Sequence, residues 1–280
     1  ITSLTYQGFL SAQNDKFVVV LDAGHGGGDS GNKGNGYSEK NIALKVTLEV
    51  GKILNKIEGI KVIYTRKTDV FIPLHKRASI ANKADADLFV SIHCNSHSSQ
   101  ARGTETWVLG EKNTGRNFEV AKRENEVIFL EDNYQQNYAG FDPSSPESTI
   151  AIGIEQEIHV EQSIILARKI EDYFMGTAKR KSRGLKQGSL LVIRSTYMPS
   201  VLVELGFLTN KKEGRYLNSK KGQEQMSKAI SDAVLNYIGN LKLNTVDASF
   251  SAEKPIESVE YKIQISSGKN KIVTKSYNFK

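Results

Sequence analysis

An α/β fold, with a twisted and largely parallel sheet covered by helices on both faces, is what this sequence predicts. Strand-length apolar runs alternate along the chain with segments whose apolar residues recur at helical spacing. The runs Phe17–Leu21 and Leu88–His93 are apolar on both alternating sides, as in strands covered on both faces. Two histidines and a glutamate then stand where strands end, the position at which open α/β sheets place their ligands. The composition agrees: of 280 residues, 39% are hydrophobic and 25% charged, with only 5 Pro. That excludes a disordered chain, a collagen and a coiled coil.

The elements follow in order. Phe17–Leu21 reads as a buried strand and opens a glycine-rich stretch, Gly24–Gly36. Asn41–Ile57 carries Ile42, Val46, Val50, Ile53, Leu54 and Ile57 on one helical face, with Lys and Glu opposite. Lys61–Tyr64 is a second strand. Pro73 stands where a helix begins, and Leu74–Lys83 continues it. Leu88–His93 and Thr104–Leu109 are the third and fourth strands. From about 111 to 160 the rhythm breaks into a helical insertion beside the expected active site. Glu119–Leu130 is helical, Asp142-Pro143-Ser144-Ser145-Pro146 is a turn cluster, and Ile150–Ile165 is helical again with a wide apolar face. An excursion of that length in a compact domain is functional or mobile. The α/β pattern resumes with a helix at Ile164–Phe174, strands at Leu190–Ile193 and Ser200–Glu204, and a long amphipathic helix at Lys220–Leu241.

The ends differ from this middle. Residues 1–16, uncharged until Asp15 and carrying Ser11 and Ala12, read either as a signal remnant or as a short leader. Residues 242–258 are polar with Pro255, a linker composition, and Val259–Ile265 alternates like a half-buried strand. No run approaches the about 18 apolar residues of a membrane span, and none is expected. Lys+Arg number 38 against 31 Asp+Glu, a net charge of +7. This balance suits contact with an anionic surface. The basic residues are scattered, apart from short clusters at Lys179–Arg183 and Lys211/Lys212, and no nucleic-acid partner is expected. The single Cys94 excludes an internal disulfide and does not locate the protein.

Three strand ends carry the chemistry. The first delivers His25 among glycines, the third delivers His93, and Val201–Glu204 ends in a carboxylate. Two imidazoles and a carboxylate are the set used by catalytic zinc with one position left for water. A further ligand is expected from the loop after His25, where Asp29 and Glu39 are the acidic candidates. Cys94 points to the opposite face of its strand from His93 and reads as an inert buried thiol. His97 reads as a rim or substrate-facing residue, while His75 and His159 read as surface or packing residues. Arg77 reads as an anchor for carboxylates near the site. Asn95 either orients a ligand or bonds the substrate.

The segments L-D-A-G-H-G-G-x-D-x-G (Leu21–Gly31), S-E-K-N (Ser38–Asn41), R-x-x-I-A-N-x-x-x-A-D-L-F-V-S-I-H-x-N (Arg77–Asn95) and P-S-V-L-V-E-L-G-F-L-T-N (Pro199–Asn210) occur in one order over about residues 17–241. Together they resemble the zinc-dependent N-acetylmuramoyl-L-alanine amidases, more narrowly the cell-wall amidases of the cell-separation type. The resemblance implies a catalytic domain at 17–241 and a Zn2+ cofactor held by His25, Glu39 and His93, with Glu204 as the catalytic residue. It implies peptidoglycan as substrate, cleaved at the amide between N-acetylmuramic acid and L-alanine. It also implies an exported chain, periplasmic or cell-envelope. The insertion then resembles an autoinhibitory helix over the metal, with Glu124, Glu126, Glu131 and Asp132 as the pool of blocking carboxylates and a periplasmic activator protein acting on it. Residues 259–280 resemble an incomplete start of a SPOR domain, a module that binds glycan strands stripped of peptides. The same ligand set would serve a zinc peptidase acting on peptide stems. A non-catalytic wall-binding protein is the contrasting class, and its signature would be loss of Glu204.

Overall fold

The computed structural model describes residues 16–110, 115–139, 141–145 and 157–250. The leader up to residue 15, the SPOR-like start at 259–280 and the Ile150–Gln156 part of the second insertion helix lie outside the described residues. The chain divides into two compact units, 1–239 and 240–280. Within the first, strand β1 (Phe17–Ala23) leads through the small hairpin β2 (Lys33–Gly34) and β3 (Tyr37–Ser38) into α1 (Glu39–Leu54). Then come β4 (Ile60–Tyr64), α2 (Leu74–Lys83), β5 (Leu88–Asn95) and β6 (Thr104–Leu109). The insertion supplies α3 (Arg116–Asn125), a 3-10 turn at Glu126–Leu130 and the short α4 (Tyr134–Asn137). After it stand α5 (Glu157–Gly176), β7 (Ser182–Gly188), α6 (Leu191–Arg194), β8 (Ser200–Phe207), α7 (Lys211–Leu217) and α8 (Lys220–Phe250).

Six strands form one sheet in the order β4-β1-β5-β8-β6-β7. The pairs β4–β1, β1–β5, β5–β8 and β6–β7 are parallel, and only β8–β6 is antiparallel. Alternation along the strands sorts the side chains to two faces. Val20, Phe89, Leu202, Trp107 and Leu109 pack in one cluster with Leu74 of α2, Val120 and Ala121 of α3, and Leu191–Ile193 of α6. On the other face α1 lies against β1, β4 and β5, and α5 against β6 and β7. Ser227 of α8 donates to the Val46 carbonyl of α1, which places the long helix beside that layer.

Two expectations are corrected. Leu190–Ile193 is not a strand: Leu190 caps α6 and Leu191–Ile193 begin it, all four apolar side chains buried in the core. The strand of that region is β7, a polar edge strand (Ser-Arg-Gly-Leu-Lys-Gln-Gly) without apolar alternation. Residues 242–250, expected as linker, continue α8. The described part of the second insertion helix forms the first turns of α5, and the apolar residues that follow, Leu166, Ala167, Ile170 and Phe174, are buried.

Candidate metal centre

β1 ends at Ala23, and the chain then turns sharply. His25 and Gly27 have positive φ, 59° and 57°. Gly26 and Asp29 exchange two backbone hydrogen bonds of 2.9 and 3.1 Å. This turn folds Asp29 back onto the imidazole, whose Nδ1 lies 2.7 Å from Asp29 Oδ2. The bond assigns the Nδ1 proton and leaves the Nε2 lone pair directed at the neighbouring side chains. Two glycines are required by close approach. A Cβ on Gly24 would lie 2.5 Å from the His93 ring, and one on Gly31 would lie 2.5 Å from His25 and 2.7 Å from Glu39.

Glu39, the first residue of α1, is fully buried. Its Oε1 accepts from the Cys94 N–H and its Oε2 from the Asn32 N–H, both at 2.7 Å. His93 stands in register with Glu204 on β8. Its Nε2 faces Ser91 Oγ at 3.1 Å, and Ser91 in turn donates to Asp22 Oδ2 at 2.6 Å. Asp22 is held on its other oxygen by Thr65 and by Arg77, which also bonds the carbonyls of Ala23 and His25. Arg77 therefore anchors a carboxylate behind the site. As with His25, the outer hydrogen bond fixes the tautomer, and here it frees Nδ1.

The fourth side chain comes from the insertion. Glu124 of α3 is buried, with Oε2 3.4 Å from His25 Nε2 and 3.1 Å from His93 Nδ1. Glu39 Oε1 lies 3.2 and 3.1 Å from the same two nitrogens. One ligand atom from each of His25, Glu39, His93 and Glu124 falls within 4.8 Å of all the others, a cluster compatible with a metal ion. Among the described residues, His25 Nε2, His93 Nδ1 and both Glu124 oxygens have no hydrogen-bond partner. Of the blocking pool, Glu124 alone reaches the cluster. Glu131 bonds the Leu74 N–H, His75 and Tyr138, and Glu126 is paired with Lys122 on the surface. Asp29, weighed as a ligand, lies behind His25.

Glu204 is fully buried, and neither oxygen has a hydrogen-bond partner among the described residues. Burial, reinforced by the Glu124 and Glu39 charges, holds its carboxyl well above the usual range. Burial alone would depress both imidazoles, but the carboxylates outweigh it. Glu39, Asp29 and Glu124 raise His25 well above its ordinary value, and Glu124 and Glu39 raise His93 to about 9. Against its own burial, Glu39 is lowered to about 2 by His25 and His93. Cys94 is buried and its thiol is pushed well up, as an inert thiol requires. His97 is exposed, and its backbone N–H donates to Thr209 Oγ1. Asn95 does not contact the cluster. It bonds Glu105 and accepts from Arg123 of α3.

Residues 19–236 match the family described as N-acetylmuramoyl-L-alanine amidase. The chain belongs to the N-acetylmuramoyl-L-alanine amidase family. It is 34% identical over 227 residues to the N-acetylmuramoyl-L-alanine amidase AmiA of Escherichia coli, covering 79% of this chain and 76% of that one. It is similar in structure to an N-acetylmuramoyl-L-alanine amidase from Clostridium difficile, with a TM-score of 0.61, 26% identity and coverage of 80% and 98%. The catalytic domain of CwlV from Bacillus (Paenibacillus) polymyxa gives a TM-score of 0.58, 29% identity and coverage of 79% and 98%. The amidase neighbours share the mostly parallel sheet flanked by helices. Sequence reading missed Glu105 and the Ser91–Asp22 pair behind His93. The only sequence signal for the latter is polar residues in strands otherwise made of Val, Leu and Ile.

Proposed function

We propose that this protein is a zinc-dependent amidase that hydrolyses the bond between N-acetylmuramic acid and L-alanine in peptidoglycan, acting in cell-wall remodelling and cell separation outside the cytoplasm, in the periplasm or envelope. One observation carries the metal reading. Ligands bonded to zinc at about 2.0–2.1 Å in a tetrahedral arrangement lie about 3.3 Å from one another. Each of the two imidazole nitrogens, of His25 and His93, lies 3.1–3.4 Å from a carboxylate oxygen of Glu39 and from one of Glu124, and the four ligand atoms all fall within 4.8 Å of one another. Nitrogens bare of hydrogen-bond partners and fixed from behind by Asp29 and Ser91 are the donor set such an ion requires.

His25, Glu39 and His93 would hold the zinc. The bound ion supplies Lewis-acid polarisation of the amide carbonyl and lowers the pKa of a water. Glu204 takes the proton of the attacking water and delivers it to the leaving nitrogen. An amine is a poor leaving group without that proton, so the carboxylate serves both halves of the reaction. Burial strengthens its proton affinity, which suits the delivery step, and a neighbouring cation favours the ionised form that accepts the proton.

Glu124 opposes the reaction twice. Its carboxylate stands where the fourth ligand belongs, and its charge helps hold Glu204 protonated. On this reading the closed arrangement is the inhibited form, with α3 as the inhibitory helix. A periplasmic activator protein that binds the insertion and retains α3 away from the cluster would release it. The test is mass spectrometry of purified muropeptides after incubation with the zinc-loaded Glu124→Ala chain, with and without chelator. Release of intact stem peptides beginning with L-alanine, abolished by chelator, is the expected result. Shortened stems would favour the peptidase reading instead.

A further inference from the structure

We propose that Glu105, with the Phe207 ring beside it, is a subsite for a cationic group on the peptide side of the substrate, and that Arg116 of α3 fills it in the closed form. The inference rests on the amidase reading above. Glu105, Glu204 and His93 stand in one register row across β6, β8 and β5. They project to one face, and adjacent strands are about 4.8 Å apart. Glu105 therefore lies one strand beyond the proposed proton carrier, on the side away from His25. The row is bent just past Glu204 by a bulge, where Asn95 pairs with Phe207 and Gly206 has φ 143°. The bulge brings the Phe207 ring to the neighbourhood of the Glu105 carboxylate's partners.

Glu105 is fully buried, and its partners come from two sources. Arg183 of β7 donates to Oε1 at 2.6 Å, and Asn95 of β5 donates to Oε2 at 3.0 Å. Both are part of the sheet. Arg116 is not. It grips the same carboxylate with both nitrogens, Nη1 to Oε1 at 2.7 Å and Nη2 to Oε2 at 2.9 Å. The Arg116 and Arg183 guanidinium carbons lie 5.6 and 5.3 Å from the Phe207 ring centroid. A carboxylate beside an aromatic ring is a cation-binding pair.

Arg116, Arg123 and Glu124 lie on one face of α3, two turns apart. Through them the helix touches Glu105, Asn95 and the metal cluster at once. When α3 leaves, each place loses a partner of defined chemistry: the cluster an oxygen ligand, Asn95 Oδ1 a donor, and Glu105 a cation. The helix thus presents a template of what the open cleft accepts. Charge does not forbid a second cation next to Arg183, since the closed form already holds two guanidiniums around this carboxylate. The peptide stems of peptidoglycan contain a diamino acid whose side-chain amine is a cation, and that group fits the template.

The test is isothermal titration of the zinc-loaded full chain with the tripeptide L-alanine–D-glutamate–diaminopimelate and with the same peptide acetylated on its side-chain amine. Arg116→Ala, with its melting temperature checked, is expected to bind the free amine at least about ten-fold more tightly than the acetylated form. The parent, with the subsite filled, binds both equally weakly. Arg116→Lys restores a cation and removes the preference, and adding Glu105→Gln to Arg116→Ala removes it too. Equal affinity of Arg116→Ala for the two peptides, or no binding of either, overturns the subsite, as does a preference surviving Glu105→Gln. Should the double variant not fold, Arg116→Ala and Arg116→Lys decide alone. Binding needs no turnover, so failure of hydrolysis with the preference intact counts against the proposed reaction only.

Discussion

Replacing Glu124 by Ala in the zinc-loaded full chain is expected to raise the amidase rate. The carboxylate reaches the cluster from α3, and the rest of that helix is held independently. Arg116 grips Glu105, Asn117 donates to the Gln187 carbonyl, and Asn125 bonds the Ser189 carbonyl and the Leu191 N–H. Val120 and Ala121 are in the core. These contacts persist in the variant, so α3 stays close to its place while its tip loses the side chain that competes with water. A charge-assisted contact contributes about 1.5–3 kcal/mol, a factor of roughly 10–150 in occupancy. If Glu124 occupies the cluster about 99% of the time in the parent, the increase saturates near 100-fold. Loss of the Glu124 charge also lowers the proton affinity of Glu204, which adds to the effect at neutral pH. The assay is stem-peptide release from purified muropeptides, with Glu126→Ala as an exposed neighbour that leaves the rate unchanged. A Glu124→Ala chain that keeps fold and zinc yet is no faster than the parent refutes the inhibitory assignment.

Three further outcomes are expected. Glu204→Gln retains zinc and fold but loses ~10²–10⁴-fold in turnover, measured on the Glu124→Ala background; a comparable loss of zinc would make Glu204 a ligand. Asp29→Asn weakens zinc affinity by about 10–100-fold because the His25 ring loses its carboxylate partner, and a competitive chelator titration showing no change would remove Asp29 from that role. The metal-free chain depends on pH in a defined sense. His25 and His93 have raised folded pKa values, so their stabilisation is complete below about 6.5 and lost as pH rises through the folded values, about 9 for His93. For His93 that is about 3 kcal/mol. Glu39 acts oppositely, its contribution present above about 4.5 and lost as pH falls through about 2. Chelator-treated protein should therefore lose melting temperature between pH 6.5 and 9, while zinc-loaded protein, whose ligating imidazoles are neutral, should not. Parallel melting curves for the two forms would contradict this.

Much of the fold was legible because the central strands are covered on both sides. Val18–Leu21 and Leu88–Val90 admit no other element of that length, and Leu74–Lys83 and Thr104–Leu109 have the bounds their patterns imply. β7 was illegible for a physical reason. An edge strand with one neighbour needs no apolar alternation, so Ser182–Gly188 reads as loop, while the buried run Leu190–Ile193 reads as strand although it forms one helical turn. At the site, strand ends announced His25, His93 and Glu204, but spacing left Glu39 and Asp29 open. The Gly26–Asp29 turn separates them by folding Asp29 behind the imidazole and leaving Glu39 in front. Which insertion carboxylate reaches the cluster was undetermined in sequence, since Glu124 and Glu126 differ only in helical phase. Glu105 gave no signal, because a glutamate between two threonines in a strand reads as an ordinary exposed position.

In the proposed mechanism His25, Glu39 and His93 hold one zinc while Glu204 carries the proton. Metal analysis of the purified full chain and of His25→Ala, Glu39→Ala, His93→Ala and Glu204→Gln measures it most directly. One zinc per chain is expected in the parent and in Glu204→Gln, with strong loss in each of the other three. Full occupancy in Glu39→Ala, or loss in Glu204→Gln, would contradict it.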